Sequence, residues 1–142
     1  MLRNTDFNGN FAANALMGKE FAFGKNKNKI FITGAKATWA GGKYYTPADT
    51  AASNLSSELV EIDSLRNSLQ FQNYFRLDVK IGFKLNTKKL THEFALDLVN
   101  ILNTQNVLGL TYAPDPKNPA GSPLREEYQL GFLPLFYYKI DF

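Results

Sequence analysis

The chain has 142 residues, carries a formal net charge of +3 and contains no cysteine. This length fits one domain of ordinary size, and so small and scattered a charge argues against a nucleic-acid partner. Hydrophobic residues make up 44% of the chain and aromatic residues 14%, yet the mean hydropathy is only -0.27. No run of about 18 apolar residues occurs, which excludes a helical membrane protein, whereas alternating strands of a transmembrane barrel keep a low average hydropathy.

Five long strands are predicted in chain order. The first two cover residues 7–23 and 29–45, and the turn-rich GKNKN at residues 24–28 joins them as a tight hairpin. Phe21 and Phe23 place the odd positions of the first strand on the apolar face, which also sends Lys19 there. Three explanations stay open at Lys19: the side chain snorkels, a bulge intervenes, or the strand is misassigned.

The third strand, predicted at residues 74–85, has the clearest alternation in the chain. From Phe75 to Leu85 its odd positions are apolar, and its even positions are charged except at Gly82. In a soluble sandwich the apolar face would be the core, whereas in a transmembrane barrel it meets lipid and the charged face lines the lumen. We favour the barrel, in which the predicted lumen-facing charges are Arg76, Asp78, Lys80, Lys84, Glu93 and Asp97.

The spacing of the aromatic residues supports contact with lipid. Phe75 and Phe83 lie eight residues apart, as do Phe31 and Trp39 in the second strand. Eight residues at about 3.3 Å each, tilted by about 45°, span roughly 19 Å of the membrane normal. We therefore predict that Phe31, Trp39, Phe75 and Phe83 belong to two aromatic girdles.

The fourth strand, predicted from residue 91 to about residue 112 with an irregular stretch at NILNTQN, pairs with the third through a turn at residues 87–90. In this register the numbers of opposed residues sum to 177. Lys84 then faces Glu93 and Lys80 faces Asp97, while Phe83, Ile81 and Val79 face Phe94, Leu96 and Leu98. A slip of one residue would place lysines in lipid, at about 2–4 kcal/mol each near the midplane.

The end of the chain alternates over a long stretch and predicts one long fifth strand. Tyr128, Leu130, Phe132, Phe136, Tyr138, Ile140 and Phe142 share one parity, interrupted only by Pro134. Outer-membrane barrels commonly end on such a strand, whose terminal aromatic residue is read during assembly. We predict a barrel-assembly signal formed by Phe136, Tyr138, Ile140 and Phe142.

The connections alternate between short and long, as in outer-membrane barrels with short periplasmic turns and longer outer loops. The long segment at residues 46–73 carries leucine and isoleucine at spacings of three and four. An amphipathic helix over the barrel mouth and a mobile loop or strand extension both fit this pattern.

Catalytic and metal-binding motifs are absent from the sequence. His92 is the single histidine, so no second imidazole makes a metal site plausible, and Glu126 and Glu127 have no cleft that would make them a catalytic pair. No nucleophile, Walker or dinucleotide motif occurs. We expect no enzymatic activity, cofactor or metal.

Four segments in order resemble the C-terminal barrel strands of TonB-dependent outer-membrane receptors. They are FGKNKNK with GGKYYTPAD, YFRLDVKIGFKL, THEFALDLVNILNTQNV and YQLGFLPLFYYKIDF. The matching positions are the RLD of Arg76, Leu77 and Asp78, the D-x-x-N-x-x-N of Asp97, Asn100 and Asn103, and the terminal Phe142. The resemblance covers essentially the whole chain.

The alternation and the loop lengths predict an all-β fold, an antiparallel meander of about five long strands that is open and curved when isolated. The resemblance implies that this meander forms part of a transmembrane barrel. It implies the outer membrane as location and active uptake of a scarce or bulky nutrient, such as an iron chelate, cobalamin or a glycan. The expected partners are the lipid bilayer, the barrel-assembly machinery and the rest of the receptor, with TonB contacted only through segments outside this chain.

Two features make the chain, residues 1–142, a candidate fragment. The opening MLRNTDFNGN has neither the apolar core nor the cleavage pattern of a signal peptide. Five strands also do not close a barrel, so the plug and the upstream strands would lie elsewhere. The main alternative is a small soluble ligand-binding barrel of the lipocalin or fatty-acid-binding type, which would need eight to ten strands with the apolar face inward.

Overall fold

The computed structural model describes residues 4–5, 8–118 and 121–142, and this part of the chain is all-β with antiparallel sheets. Most of its elements are strands, with one short helix and one 3-10 turn at Asp63–Leu65. In chain order the elements are β1 (Ala12–Phe23), β2 (Lys29–Ala40), β3 (Tyr44–Tyr45), α1 (Thr50–Ser56), β4 (Leu69–Gln70), β5 (Tyr74–Asn86), β6 (Thr91–Val99), β7 (Val107–Tyr112), β8 (Leu124–Tyr128) and β9 (Leu133–Asp141).

The longer strands form one open sheet in the order β1-β2-β5-β6-β9. Each strand therefore pairs with the next long strand along the chain, which confirms the predicted order of five strands. The short strands form two separate two-stranded sheets, β3-β4 and β7-β8, within the long connections.

The predicted register between β5 and β6 is confirmed. Lys84 lies opposite Glu93 and Lys80 opposite Asp97, and on the other face Phe83 lies opposite Phe94. The turn between the strands closes through Thr87, whose backbone N–H and hydroxyl both donate to the carbonyl of Leu90, at 2.8 and 2.7 Å. Charge matching and alternation were sufficient to specify this pairing because a one-residue slip exchanges the two faces.

Four predicted strands are too long. The fourth ends at Val99 rather than near residue 112, because Asn100 adopts a left-handed φ of 50° and turns the chain. The predicted fifth strand is divided into β8 and β9, since the carbonyl of Leu130 and the N–H of Phe132 bond to side chains instead of a neighbouring strand. The second strand likewise ends at Ala40 rather than at residue 45. The first begins at Ala12 rather than at residue 7: residues 8–11 form no strand, and Asn10 among them has a left-handed φ of 66°. Residue 7 itself lies outside the described residues.

The 46–73 segment does not form one amphipathic helix. Only α1 is helical, capped by Asp49, whose Oδ1 accepts from the N–H groups of Ala51 and Ala52 at 3.0 Å. Leu65 lies in the 3-10 turn and Leu69 in β4. The spacing of apolar residues therefore came from several short elements rather than one helical face.

The chain divides into two compact units. One unit comprises residues 1–12, 40–74 and 105–129, and contains the two small sheets. The other comprises residues 13–39, 75–104 and 130–142, and contains nearly all of the large sheet. We call them the loop unit and the sheet unit.

Among the described residues, only Ala95 and Val107 are buried hydrophobic residues. Six polar or charged residues are buried: Thr46, Ser53, Asn67, Glu93, Asn100 and Asn106. Large apolar side chains are instead exposed along the sheet. This is the reverse of the distribution in a water-soluble domain, where apolar residues are the most often buried.

Candidate functional site

The polar face of the sheet unit collects most of the predicted lumen-facing charges. A depression of about 540 Å³ lies on this face, and Asp78, Lys80, Lys84, Glu93 and Asp97 all line it. Alternation places them together, because strand positions two apart share a face and β5 and β6 pair in register. Glycines at positions 18 and 34 of β1 and β2 also line this depression and leave it open.

A hydrogen-bonded chain links three strands across this face. Lys80 Nζ donates to the hydroxyl of Tyr137 at 2.5 Å, and that hydroxyl donates to Glu93 Oε1 at 3.0 Å. Lys84 Nζ lies 3.5 Å from Glu93 Oε2 and 3.7 Å from Glu20 Oε1. Glu93 is only 9% exposed. A carboxylate buried to this extent is costly unless it is paired, and these partners compensate its charge.

The RLD and D-x-x-N-x-x-N motifs meet at the end of β6. Arg76 pairs with Asp78 at 3.0 Å, and Asp78 Oδ1 accepts the backbone N–H of Asn100 at 2.9 Å. The fully buried side chain of Asn100 donates to the carbonyls of Thr104 and Leu130, at 3.0 and 3.2 Å. These residues connect the end of β6 with β5 and with the segment that leads into β9.

Asp97, the first residue of the second motif, has a different environment. Its Cα lies opposite that of Lys80 in the register. Within the described part of the chain, its Oδ1 atom is buried without a hydrogen-bond partner. Such an atom is uncommon, because burying an unsatisfied polar group costs free energy.

The opposite face of the sheet unit is aromatic and exposed. Phe31 and Trp39 of the predicted girdles are 39% and 52% exposed, whereas Phe75 and Phe83 are half-buried. Ring contacts join this face across strands: Phe21 and Phe31 have centroids 6.4 Å apart, and Phe23 and Phe83 have centroids 6.0 Å apart.

Three of the four predicted assembly-signal residues lie on the same aromatic face, and the fourth, Phe142, follows the end of β9. Phe136 lies opposite Leu96, Tyr138 opposite Phe94 and Ile140 opposite His92. All four signal residues are exposed: Phe136, Tyr138, Ile140 and Phe142. His92 is an ordinary polar residue on this face, and its Nδ1 atom lies 2.7 Å from the hydroxyl of Tyr138.

Lys19 lies on the aromatic face, as the parity of Phe21 implied. Its ammonium group lies 5.1 Å from the centroid of the Phe21 ring, a distance at which a cation and an aromatic face attract. Glu20, its neighbour in sequence, is on the polar face beside Lys84. Of the three explanations left open, the structure supports a correctly assigned strand with a lysine held over an aromatic ring.

Sequence reasoning missed Tyr137 and Glu20 as members of the charged network. Tyr137 shares the parity of Lys139 and lies opposite Ala95, so its hydroxyl reaches between Lys80 and Glu93. Tyr137 was overlooked because it stands among many aromatic residues in the sequence. Its parity, which is that of Lys139 and not that of Phe136, was the signal that would have assigned it to the polar face.

The described residues contain no group of three histidine, cysteine, aspartate or glutamate side chains able to hold a metal ion. No helix in this part of the chain has the length and hydropathy needed to cross a membrane. Comparison with family models, curated proteins and solved structures finds no match.

Proposed function

We propose that the chain is part of the barrel of a TonB-dependent outer-membrane receptor that takes up a scarce or bulky nutrient. In this proposal β1, β2, β5, β6 and β9 are membrane-spanning strands of a curved barrel wall. The short turns face the periplasm and the two long connections face the outside. The plug and the remaining strands are supplied by the rest of the receptor.

The observation that carries the proposal is the difference between the two faces of the sheet. One face exposes aromatic and aliphatic side chains on neighbouring strands, including Trp39 and Phe136, at 52% and 72% exposure. The other carries the network of Lys80, Tyr137 and Glu93. A contiguous exposed apolar face of this kind marks contact with a membrane or a partner, and an outer-membrane barrel has this outside-apolar, inside-polar arrangement.

The open sheet also supports membership in a larger barrel. Among the described residues, β1 pairs only with β2 and β9 only with β6, so the sheet has two edges. In lipid, each unsatisfied backbone group at an edge costs several kcal/mol, so these strands need further neighbours. The soluble-barrel alternative would instead require the apolar face to be enclosed, and none of the described large aromatic residues on β9 is buried.

Fractionation of cells that express the intact protein tests the location. We expect the protein in the outer membrane as a folded form whose gel mobility changes on heating, and we expect uptake of its nutrient to require TonB. Recovery of the wild-type protein in the soluble fraction would contradict the proposal.

A substitution at Phe142 tests the assembly role of β9. We expect Phe142→Ser to deplete the folded protein from the outer membrane and leave unfolded chain for periplasmic proteases. Loss of packing alone would cost a few kcal/mol at most and leave the folded form in place. The control is Leu55→Ser, because Leu55 is 90% exposed and lies on α1, outside the large sheet. Wild-type amounts of folded Phe142→Ser protein would show that Phe142 only packs.

A further inference from the structure

Two turns of the sheet unit lie side by side at one end of the large sheet. The first, residues 24–28, joins β1 to β2, and the second, residues 87–90, joins β5 to β6. Because β2 and β5 are neighbours in the sheet, the two turns meet, and the N–H of Asn86 donates to the carbonyl of Asn28 at 2.8 Å. Both turns therefore belong to one continuous surface.

This surface is strongly basic. It carries five exposed lysines, which we call the lysine surface: Lys25, Lys27, Lys29, Lys88 and Lys89. None of the five forms an ion pair with a described residue, and residues 21–40 and 79–92 contain no aspartate or glutamate. Asp141, at the end of β9, pairs with Lys139 at 2.8 Å. Five like charges so close together repel one another, and an external anion would offset that repulsion.

An aromatic row crosses the sheet a few residues before the lysine surface. Phe83 lies opposite Phe94 and Phe94 opposite Tyr138, so three neighbouring strands carry a ring at one level. The rings of Phe94 and Tyr138 stack with centroids 4.6 Å apart, and Phe21 and Phe31 form a further pair on β1 and β2. In outer-membrane barrels such rows mark the interface between lipid and water. The lysine surface therefore lies where lipid headgroups are expected.

Lys19 extends the positive charge onto the aromatic face. Its ammonium group lies 5.1 Å from the centroid of the Phe21 ring, and Phe21 is two residues closer to the turn. The side chain is thus directed along β1 toward the lysine surface, with its stem on apolar surface and its charge near the interface. Lys29 has the parity of Phe31 and so shares this face. A lipid whose chains pack on the aromatic face would bring its phosphate group to these two lysines.

We propose that the lysine surface, together with Lys19, binds the headgroup of an anionic phospholipid. This inference rests on the proposed function, because the lipid chains would pack on the lipid-facing side of the sheet. It goes further by assigning a selection for headgroup charge to the leaflet beside the short turns. A zwitterionic headgroup has no net charge to attract the lysines, and an acidic protein segment would leave the aromatic row and Lys19 unused.

Titration of the purified full chain in non-ionic detergent tests the site, with the backbone amide NMR signals of the two turns as readout. The probes are dioctanoyl-phosphatidylglycerol, dioctanoyl-phosphatidylcholine, glycerol 3-phosphate and hexaglutamate. We expect the phosphatidylglycerol to shift the turn signals with saturation, at a half-saturating concentration at least tenfold below that of each other probe. Equal binding of the phosphatidylcholine would refute charge selection. Equal binding of glycerol 3-phosphate or hexaglutamate would assign the surface to free phosphate or to an acidic protein and overturn the proposal.

Matched substitutions locate the binding. Lys88→Gln combined with Lys89→Gln should raise the half-saturating concentration of phosphatidylglycerol by about tenfold to thirtyfold, and Lys19→Gln should raise it about fivefold. The control combines Lys36→Gln with Lys117→Gln, which removes the same charge from exposed lysines of β2 and the loop unit and should leave the value within twofold. Equal effects of the two double variants would show attraction by net charge alone and overturn the site.

Failure of this inference is distinguishable from failure of the proposed function. Protein that fractionates with the outer membrane but shows no preference for phosphatidylglycerol would contradict only the lipid site. Protein recovered in the soluble fraction would contradict the transport proposal, whichever probe it binds.

Discussion

Replacement of Asn100 by alanine should strongly destabilise the sheet unit. The Asn100 side chain is 0% exposed and makes three hydrogen bonds, two as donor to the carbonyls of Thr104 and Leu130 and one as acceptor from the N–H of Thr104 at 3.0 Å. Its φ of 50° is left-handed, a conformation that asparagine tolerates better than alanine.

The magnitude follows from these two effects. Three hydrogen bonds at about 1 kcal/mol each contribute about 3 kcal/mol, and the left-handed conformation costs alanine about 1–2 kcal/mol more. We therefore expect Asn100→Ala to lower the free energy of unfolding by about 4–5 kcal/mol. Asn100→Gly should recover the backbone part, about 1–2 kcal/mol, because glycine adopts positive φ without the steric cost.

Denaturant unfolding of the full chain in detergent measures these changes. Trp39 is the single tryptophan and lies in the sheet unit, so its fluorescence reports on this part of the protein. Gln105→Ala, at an exposed position, is the control. A loss below about 1 kcal/mol for Asn100→Ala, equal to that of the control, would refute the role assigned to the buried side chain.

Three further predictions concern the network, the loop unit and a surface carboxylate. Tyr137→Phe removes the hydroxyl between Lys80 and Glu93 and should cost about 1–3 kcal/mol in the same unfolding assay; an unchanged midpoint would contradict the bridge. Gly41→Ala should cost at least about 1–3 kcal/mol through overpacking against the carbonyl oxygen of Gly9, measured by thermal unfolding, whereas Gly109→Ala, whose Cβ would meet nothing within 4 Å, should be nearly neutral; equal losses would contradict the close approach. The pKa of Asp115 should lie below its usual value, mainly because its carboxylate accepts the Lys117 N–H and secondarily because it pairs with Arg125, so any stabilisation is present above the unfolded pKa and lost as pH falls through the folded one. In an NMR titration, Arg125→Met should raise this pKa only partly; a full return to the usual value would contradict the leading role of the backbone bond.

The paired strands could be predicted from sequence because two independent patterns agreed. Apolar alternation in β5 and β6 assigned the faces, and the positions of Lys80, Lys84, Glu93 and Asp97 selected the register. A slip by one residue would have broken both patterns. Where local alternation and charge pairing point to the same structure, a single sequence carries enough information.

The strand ends could not be predicted because tertiary hydrogen bonds determine them. Alternation continues from Tyr128 through Phe132, yet the backbone there bonds to the side chains of Asn100 and Asn103, about 30 positions earlier in the chain. The motif that contains both asparagines was visible in the sequence, but its partners were not. A cavity in the loop unit could not be predicted either, because its lining comes from segments that are distant in sequence.

The membrane orientation of β5 is the central claim, and cysteine labelling in the outer membrane tests it most directly. The chain contains no cysteine, so single cysteines at Val79, Lys80, Ile81 and Lys84 introduce unique sites. We predict that a water-soluble maleimide labels the cysteines at positions 80 and 84, and that those at positions 79 and 81 react only with a lipid-soluble reagent. Equal labelling of all four positions by the water-soluble maleimide, or the opposite pattern, would contradict a lipid-facing apolar surface.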